Sequence, residues 1–359
     1  MAVLNDEQVM LRDMAREWVA NESPVAAFRK VRDSGDPRAF DPEAYATMAQ
    51  MGWTGVIIPE EHGGSDFGWL SMGLIAEELG KTLTASPLVA TTVAASAIVL
   101  GGSEEQKARW LPRIASGEVI ATLAVDEGPR HEPTKITASV TDSKLTGSKA
   151  FVPEAHGADL FVVAAADGLY LVEKGDGVQL ATRELVDRRS YAHVTFDGAT
   201  ADRLAGGETL LDDVLDRARI ITSAEMLGMA QAVFDSTLDY LKQRVQFNQV
   251  LATFQALQHR MADLYGDLAM MRSAVEGGLQ ALDANGSRGF GVARAATIAK
   301  AEANRVLHKV SNEGIQLHGG IGMTDEYDVG FYLKRARVLE AAYGNVGYLR
   351  DRFAKIGGY

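Results

Sequence analysis

The sequence predicts a mainly helical protein with a small β unit at its centre. Three stretches of pattern say so: helical spacing of apolar residues over 1–116, short strand-like segments separated by turn residues over 117–206, and long three-or-four spacing over 207–359. The chain has 359 residues, more than one simple core accommodates, so the three stretches are expected to be three domains.

In the first stretch Val9, Leu11, Met14 and Trp18 recur near helical spacing, with charged residues between them. A second helix is predicted over 42–51, entered through Asp41 as N-cap with Pro42 at the first helical position. The segment 55–66 breaks at Pro59, Gly63 and Gly64; a long apolar helix resumes near Leu70 and is expected to stop at Gly80, its C-cap. In the middle stretch 119–125, 145–152, 160–165, 169–172 and 193–196 read as strands separated by Gly, Asp and Pro turns. No long helical pattern interrupts them, which favours a small sandwich or barrel over a parallel doubly wound sheet. In the last stretch Leu257, Met261, Leu264, Leu268, Met271, Val275 and Leu279 keep an unbroken helical spacing. A loop over 286–291 and a helix over 292–317 follow, and these long helices are expected to pack as a four-helix bundle.

Composition narrows the function. Hydrophobic residues make up 47% and charged residues 23%, ordinary for a globular chain. The formal charge of −12 opposes binding to nucleic-acid phosphate, though a few local Arg side chains can still hold a small anion. There is no Cys, which removes disulfides, thiolate metal sites and Cys nucleophiles. The apolar run near 90–100 is too short for a bilayer, and the N-terminus lacks a basic stretch followed by an apolar one. No membrane association is expected, and a cytoplasmic location is. The seven His show no metal-ligand spacing and no Glu-x-x-His pair occurs, so no metal site is expected. Gly80-Lys81-Thr82 imitates the end of a phosphate loop, but Ile75 stands where the leading Gly belongs.

Two segments carry more. Arg244-Val245-Gln246-Phe247-Asn248, followed by Phe254-Gln255-Ala256-Leu257-Gln258-His259-Arg260, gathers an Arg, aromatics and amides at one loop. Such a set can hold a pyrophosphate and border an aromatic ring; its plain alternative is a helix junction. Gln316-Leu317-His318-Gly319-Gly320-Ile321-Gly322-Met323-Thr324 places paired glycines after a helix, where backbone N–H groups can approach an anion, or where the chain simply turns sharply.

Together these segments resemble the signature of the acyl-CoA dehydrogenase family, over nearly the whole chain. Pro59-Glu60-Glu61-His62-Gly63-Gly64 resembles the family's N-terminal loop, Glu77 and Glu78 its Glu-Glu helix, and Asp325-Glu326-Tyr327 through Arg335-Ala336-Arg337 the stretch after its glycine turn. The resemblance implies FAD as cofactor, an acyl-CoA thioester as substrate and an electron-transfer flavoprotein as acceptor. In that chemistry a carboxylate removes the α-proton while the β-hydrogen leaves as hydride to the flavin. The family shares each flavin between two subunits. By this resemblance Arg244, Phe247, Gln316, Gly319 and Gly320 are flavin contacts given to a partner. Arg219 falls at the family's substrate-side Arg; it is expected near the CoA or acyl region, or in a surface ion pair.

The family places its catalytic carboxylate at one of two positions, and here those positions read Tyr343 and Ala218. A Tyr with a pKa near about 10 is a poor base at neutral pH. The flavin-holding loop of the middle domain reads Asp126-Glu127-Gly128-Pro129-Arg130-His131-Glu132, and the Trp-x-Thr beside the flavin reads Phe151-Val152-Pro153, where Pro has no N–H to donate. Asn248 replaces a Gly. Features serving a chain's own flavin are eroded, whereas those offered to a neighbour remain. That implies the non-catalytic subunit of an α2β2 acyl-CoA dehydrogenase, of the kind that oxidises bulky steroid side-chain thioesters. Two alternatives stay open: a homo-oligomeric enzyme with a relocated base, for which Glu225 and Glu340 are candidates and Asp216 a weaker one, or a scaffold or CoA-binding module without redox chemistry.

Overall fold

The computed structural model describes residues 3–284 and 288–359. Among the described residues six α-helices come first: α1 (Asp6–Asn21), α2 (Val25–Ser34), α3 (Pro42–Gln50), α4 (Gly68–Lys81), α5 (Leu88–Gly101) and α6 (Glu104–Ala115). Their starts are set locally. Asn5 and Gln8 form a capping box on α1, Ser103 and Gln106 another on α6, and the Asp41 carboxylate accepts the Glu43 N–H at the head of α3, as expected. The buried face of α1 runs through Ala15, Trp18 and Val19; Met14, expected inside, is 42% exposed.

Eight strands then follow among the described residues, where five were expected. They are β1 (Ala121–Ala124), β2 (Ser139–Thr141), β3 (Lys144–Pro153), β4 (Leu160–Ala165), β5 (Gly168–Glu173), β6 (Val178–Thr182), β7 (Tyr191–Thr200) and β8 (Asp202–Arg203). They form two four-stranded sheets, β1-β4-β5-β8 and β2-β3-β7-β6, in which only the β1–β4 pairing is parallel among those described. A two-sheet arrangement agrees with the expected sandwich. Its core joins Phe161, Val163 and Val172 of one sheet to Leu145, Val152, Val194 and Phe196 of the other, with Phe161 and Phe196 edge to face at 6.1 Å. All six residues of β4 are buried, and apolar α5, buried nearly all round, packs on the same sheet at β1 and β4.

The rest is helical: α7 (Leu210–Gln243), the small hairpin β9 (Val245–Gln246) and β10 (Gln249–Val250), α8 (Gln255–Asp283), α9 (Phe290–His318), α10 (Val329–Ala341) and α11 (Val346–Ile356). Met261, Leu264, Leu268, Met271, Val275 and Leu279 are the buried stripe of α8, as their spacing predicts. α8 and α9 run antiparallel: Arg260 pairs with Glu313, Asp267 with Arg305 and Lys309, and Gly278 faces Ala299. Of the loop expected over 286–291, residues 286 and 287 lie outside the described residues. Phe290 and Gly291 are already helical, because Gly289, with φ +86°, ends the connection.

Contacts divide the chain into two compact units. One is Met1–Val25, Gly73–Thr84 and Arg219–Tyr359; the other is Ala26–Met72 and Ala85–Ala218. Within the first unit α4 and α7 touch backbone to backbone. A Cβ on Gly80 would stand 2.1 Å from the Glu225 carbonyl oxygen, and one on Gly228 would stand 1.8 Å from that of Glu77. Gly80 therefore does not cap α4. It lies inside a helix that continues to Lys81, without the left-handed φ of a cap, and it is glycine because another helix occupies the space.

Gly228→Ala should consequently destabilise the protein by about 1–3 kcal/mol, read as a lower midpoint of thermal or urea unfolding. Gly266→Ala, at an exposed site of α8 with open space around the new methyl, should be neutral or stabilising by about 0.5–1 kcal/mol. Equal effects at both positions would contradict the close approach of α4 and α7.

Candidate functional site

The Arg244 segment folds as a two-residue hairpin turn. Gln246 pairs with Gln249 and Val245 with Val250, and both loop residues, Phe247 and Asn248, have positive φ of +54° and +62°. This is the turn geometry that matches strand twist, and Asn tolerates it. A bulky aromatic does not, at roughly 1 kcal/mol of strain. Phe247 nevertheless stands 82% exposed, with Phe254 at its edge 6.1 Å away. Arg244 is also exposed, and its guanidinium has no acidic or hydrogen-bonding partner among the described residues.

The glycine turn is attached to the same end of α7. Tyr240, one helical turn before Arg244, stacks on His318 at 4.5 Å, and Tyr327 closes on both rings. His318 is buried, and its Nδ1 donates to the Gly314 carbonyl at 2.7 Å. Burial pushes its imidazole pKa down, partly opposed by that hydrogen bond, so the ring is neutral at pH 7. Directly after it Gly319 adopts φ +66° and ψ −142°, a conformation open essentially to glycine alone. Gln316, Gly319 and Gly320 are exposed, as are Ile321 and Met323 beside them. The structure thus brings the five residues expected to serve a partner's flavin onto two exposed turns and the last turn of α9 beside one of them, linked through the Tyr240–His318 stack.

The two positions where the resemblance led a base to be expected offer no acid. Ala218 is fully buried in α7. Tyr343, half-buried, sits at φ +57° in the turn between α10 and α11. Arg219 is fully buried, which overturns the surface ion pair: its Nε donates to the Tyr343 carbonyl at 3.0 Å, and its Nη2 lies 3.4 Å from the Tyr348 hydroxyl. It holds the turn from beneath. The relocated-base candidates are engaged as well. Glu225 is buried and accepts two hydrogen bonds from Arg335, at 3.0 and 2.9 Å. Glu340 accepts from Arg337 at 2.6 and 2.8 Å and contacts His308 at 3.1 Å. Asp216 is buried in α7. Glu77 and Glu78 are structural too: Arg272 grips Glu77, and Lys81 and Arg16 hold Glu78.

In the sandwich unit the 126–138 segment is closed on its own groups. Asp126 contacts His131 at 3.0 Å. Glu127 accepts from the Thr137 N–H, the Thr137 hydroxyl, the Ala138 N–H and the buried Lys149 ammonium. Burial alone would raise the Glu127 carboxyl; these donors override it and bring its pKa down to about 2. Beyond it, β3 bulges between Lys149 and Val152, which turns Phe151 outward at φ +51° against the edge of His193.

Comparison with known proteins decides the family. Residues 5–118 match the model of the acyl-CoA dehydrogenase N-terminal domain, and residues 205–357 that of the acyl-CoA dehydrogenase C-terminal domain. The chain belongs to the acyl-CoA dehydrogenase family. It is 30% identical over 336 residues to the acyl-CoA dehydrogenase IpdE2 of Mycolicibacterium smegmatis, covering 93% of both chains. A variant of the Tcur3481-Tcur3483 steroid ACAD superimposes with a TM-score of 0.91 at 30% identity, covering 98% of each chain. A chain of the ChsE4-ChsE5 complex from Mycobacterium tuberculosis shares the fold, with a TM-score of 0.91 at 24% identity and coverage of 100% and 99%. The acyl-CoA dehydrogenase fold accounts for the helix–sandwich–helix order. Among the described residues no helix is long and apolar enough to cross a membrane.

Sequence reading did not find Lys300, Asn304 or the Tyr240–His318 stack, because an isolated Lys or Tyr within a helix carries no signal of burial. Phe247→Asn should leave the unfolding midpoint unchanged or raise it, since it removes left-handed strain and little packing. A drop of several degrees would show that Phe247 is a structural residue of this chain.

Proposed function

We propose that this chain is the non-catalytic subunit of a heteromeric FAD-dependent acyl-CoA dehydrogenase, supplying one side of a flavin site to a catalytic partner. The observation that carries the reading is the contrast between two sets of residues in one polypeptide. Arg244, Phe247, Gln316, Gly319 and Gly320 stand exposed and unengaged by acids, whereas Tyr343 and Ala218 stand where the family resemblance puts a base, and Glu225 and Glu340 are held in ion pairs.

The residues present fit half of the cofactor. The exposed Arg244 guanidinium suits a pyrophosphate, the Gly319–Gly320 turn leaves room for backbone N–H groups to meet an anion, and Phe247 presents an apolar ring edge. The other half does not fit equally well. Glu127 and Lys149 fill the 126–138 segment with their own hydrogen bonds, and Pro153 has no N–H. When bound, FAD supplies the hydride acceptor for an acyl-CoA whose α-proton a base removes. This chain's part is to bind and orient: charge from Arg244, main-chain donors from the glycine turn, and a turn at Tyr343 fixed by Arg219. The base then comes from the partner. The Tcur3481-Tcur3483 steroid ACAD, named for two components, supports both a heteromeric assembly and a bulky steroid-type thioester as substrate. An electron-transfer flavoprotein is the proposed acceptor, in line with the family.

The test is purification of the chain alone and co-expressed with a catalytic acyl-CoA dehydrogenase subunit. The lone chain should be nearly colourless and inactive with acyl-CoA, and the complex yellow and active. Arg244→Ala should lower the complex's flavin content at least several-fold without lowering the unfolding midpoint of the lone chain. Full flavin and turnover in the lone protein would reject the proposal.

A further inference from the structure

Beneath the Tyr343 turn lies a buried lysine that the proposed chemistry does not use. Lys300, on α9, is fully buried, and its Nζ donates to the Asn304 Oδ1 at 2.6 Å and to the Leu339 carbonyl at 2.9 Å. Asn304, also buried, passes the connection on: its Nδ2 donates to the Gly344 carbonyl at 3.2 Å and lies 3.4 Å from the Glu340 carbonyl. Arg219 holds the neighbouring Tyr343 carbonyl. Three side chains thus satisfy carbonyls at the C-terminal end of α10 and in the turn after it, groups that a helix end leaves without intrahelical partners. The turn needs this help. Tyr343 is left-handed at φ +57°, and Gly344 follows at φ +118°.

We propose that Lys300 is a positioning residue which, through Asn304, fixes the turn carrying Tyr343. The proposal concerns this chain's own backbone and does not depend on where the flavin binds. Its physical signature is a proton count. Among the described residues the Lys300 nitrogen has two acceptors, Asn304 Oδ1 and the Leu339 carbonyl. A neutral amine has two N–H groups and is satisfied by them; an ammonium has three and leaves one buried without a partner. The surroundings act in the same direction. Burial is the main cause that lowers the Lys300 pKa, to about 7, with Arg219 on α7 lowering it further and Glu340 on α10 opposing. Glu340 is itself shared with Arg337 and His308. On the same helix as Lys300, Arg352 of α11 bonds to the Ala293 carbonyl and the Thr297 hydroxyl.

The sign follows from the two pKa values. The unfolded lysine, at 10.5, binds its proton up to a higher pH than the folded one, at about 7. Between these values stability rises with pH, and below about 7 the full cost of a buried ammonium is present. Protonation then loosens the latch: the third N–H must reach water, and the end of α10 has to open to admit it.

Hydrogen exchange on the full-length protein tests this, corrected for the intrinsic pH dependence of exchange. In the wild type, protection of residues 342–346 should fall several-fold between about pH 8.5 and about pH 6, whereas protection in α8 changes little. Lys300→Met should remove that pH dependence, leaving 342–346 weakly protected throughout, and its unfolding midpoint relative to wild type should be most favourable at low pH. Asn304→Ala keeps the lysine and breaks the link to Gly344; it should open 342–346 at every pH, and it guards against a Lys300→Met protein that does not fold. Wild-type protection of 342–346 that is flat with pH, or that moves together with α8, would overturn the proposal. So would an Asn304→Ala protein with a fully protected turn.

Discussion

Helix α7 can lie where it does only because two glycines give way. Gly228 admits the Glu77 carbonyl of α4, and Gly80 admits the Glu225 carbonyl of α7, so the two backbones approach more closely than any side chains would allow. Along its length α7 bears Ala218, Arg219, Glu225 and Tyr240, and it ends at the Arg244 hairpin. Its seating therefore sets three things at once: which residue stands at the helix base position, what supports the Tyr343 turn, and where the glycine turn is anchored through His318. Beside this contact Glu225 ties α7 to Arg335 of α10, and Glu77 ties α4 to Arg272 of α8.

Around that frame the chain divides its polar groups in an orderly way. Glu225 and Glu340, the stronger candidates for a relocated base, are each paired with a guanidinium. Groups on the outer turns are left uncommitted. Breaking a buried pair by removing one partner is costly, because the remaining charge loses its compensation. Evolution of a new base at buried Glu225 would thus work against stability, whereas the exposed Arg244 and Phe247 cost the fold little and are free to serve another molecule.

Much of this was legible in the amino-acid order, and the omissions have physical causes. The Asp41 cap and the buried stripe of α8 are local patterns, and the strands 160–165 and 169–172 are readable as short continuous apolar runs bounded by turn residues, buried on both faces. β6 was missed because its residues are half-exposed and alternate weakly, and the β9–β10 hairpin because it is two residues long on each side. Gly80 was misread because a helix cap and a close helix crossing both call for glycine, and only the position of α7 separates them. Arg219 and Lys300 look like surface residues in a sequence. Their burial is a property of five helices packed together, which no local pattern records. The family resemblance singled out the hairpin and the glycine turn, which the structure shows as exposed turns, and it directed attention to Ala218 and Tyr343. It could not say that Glu225 and Glu340 are held in ion pairs, which is what weakens the relocated-base reading.

The account rests on a division of labour that places the reacting end of the flavin on another polypeptide. Density from a structure of the chain bound to its catalytic partner and an acyl-CoA would decide it. The account predicts one isoalloxazine for each pair of unlike chains, seated on the partner's middle domain, with the pyrophosphate at Arg244 and the glycine turn of this chain and a partner carboxylate at the thioester's α-carbon. An isoalloxazine seated on this chain's own 126–138 segment, with Glu225 or Glu340 released from its arginine and facing the substrate, would contradict it.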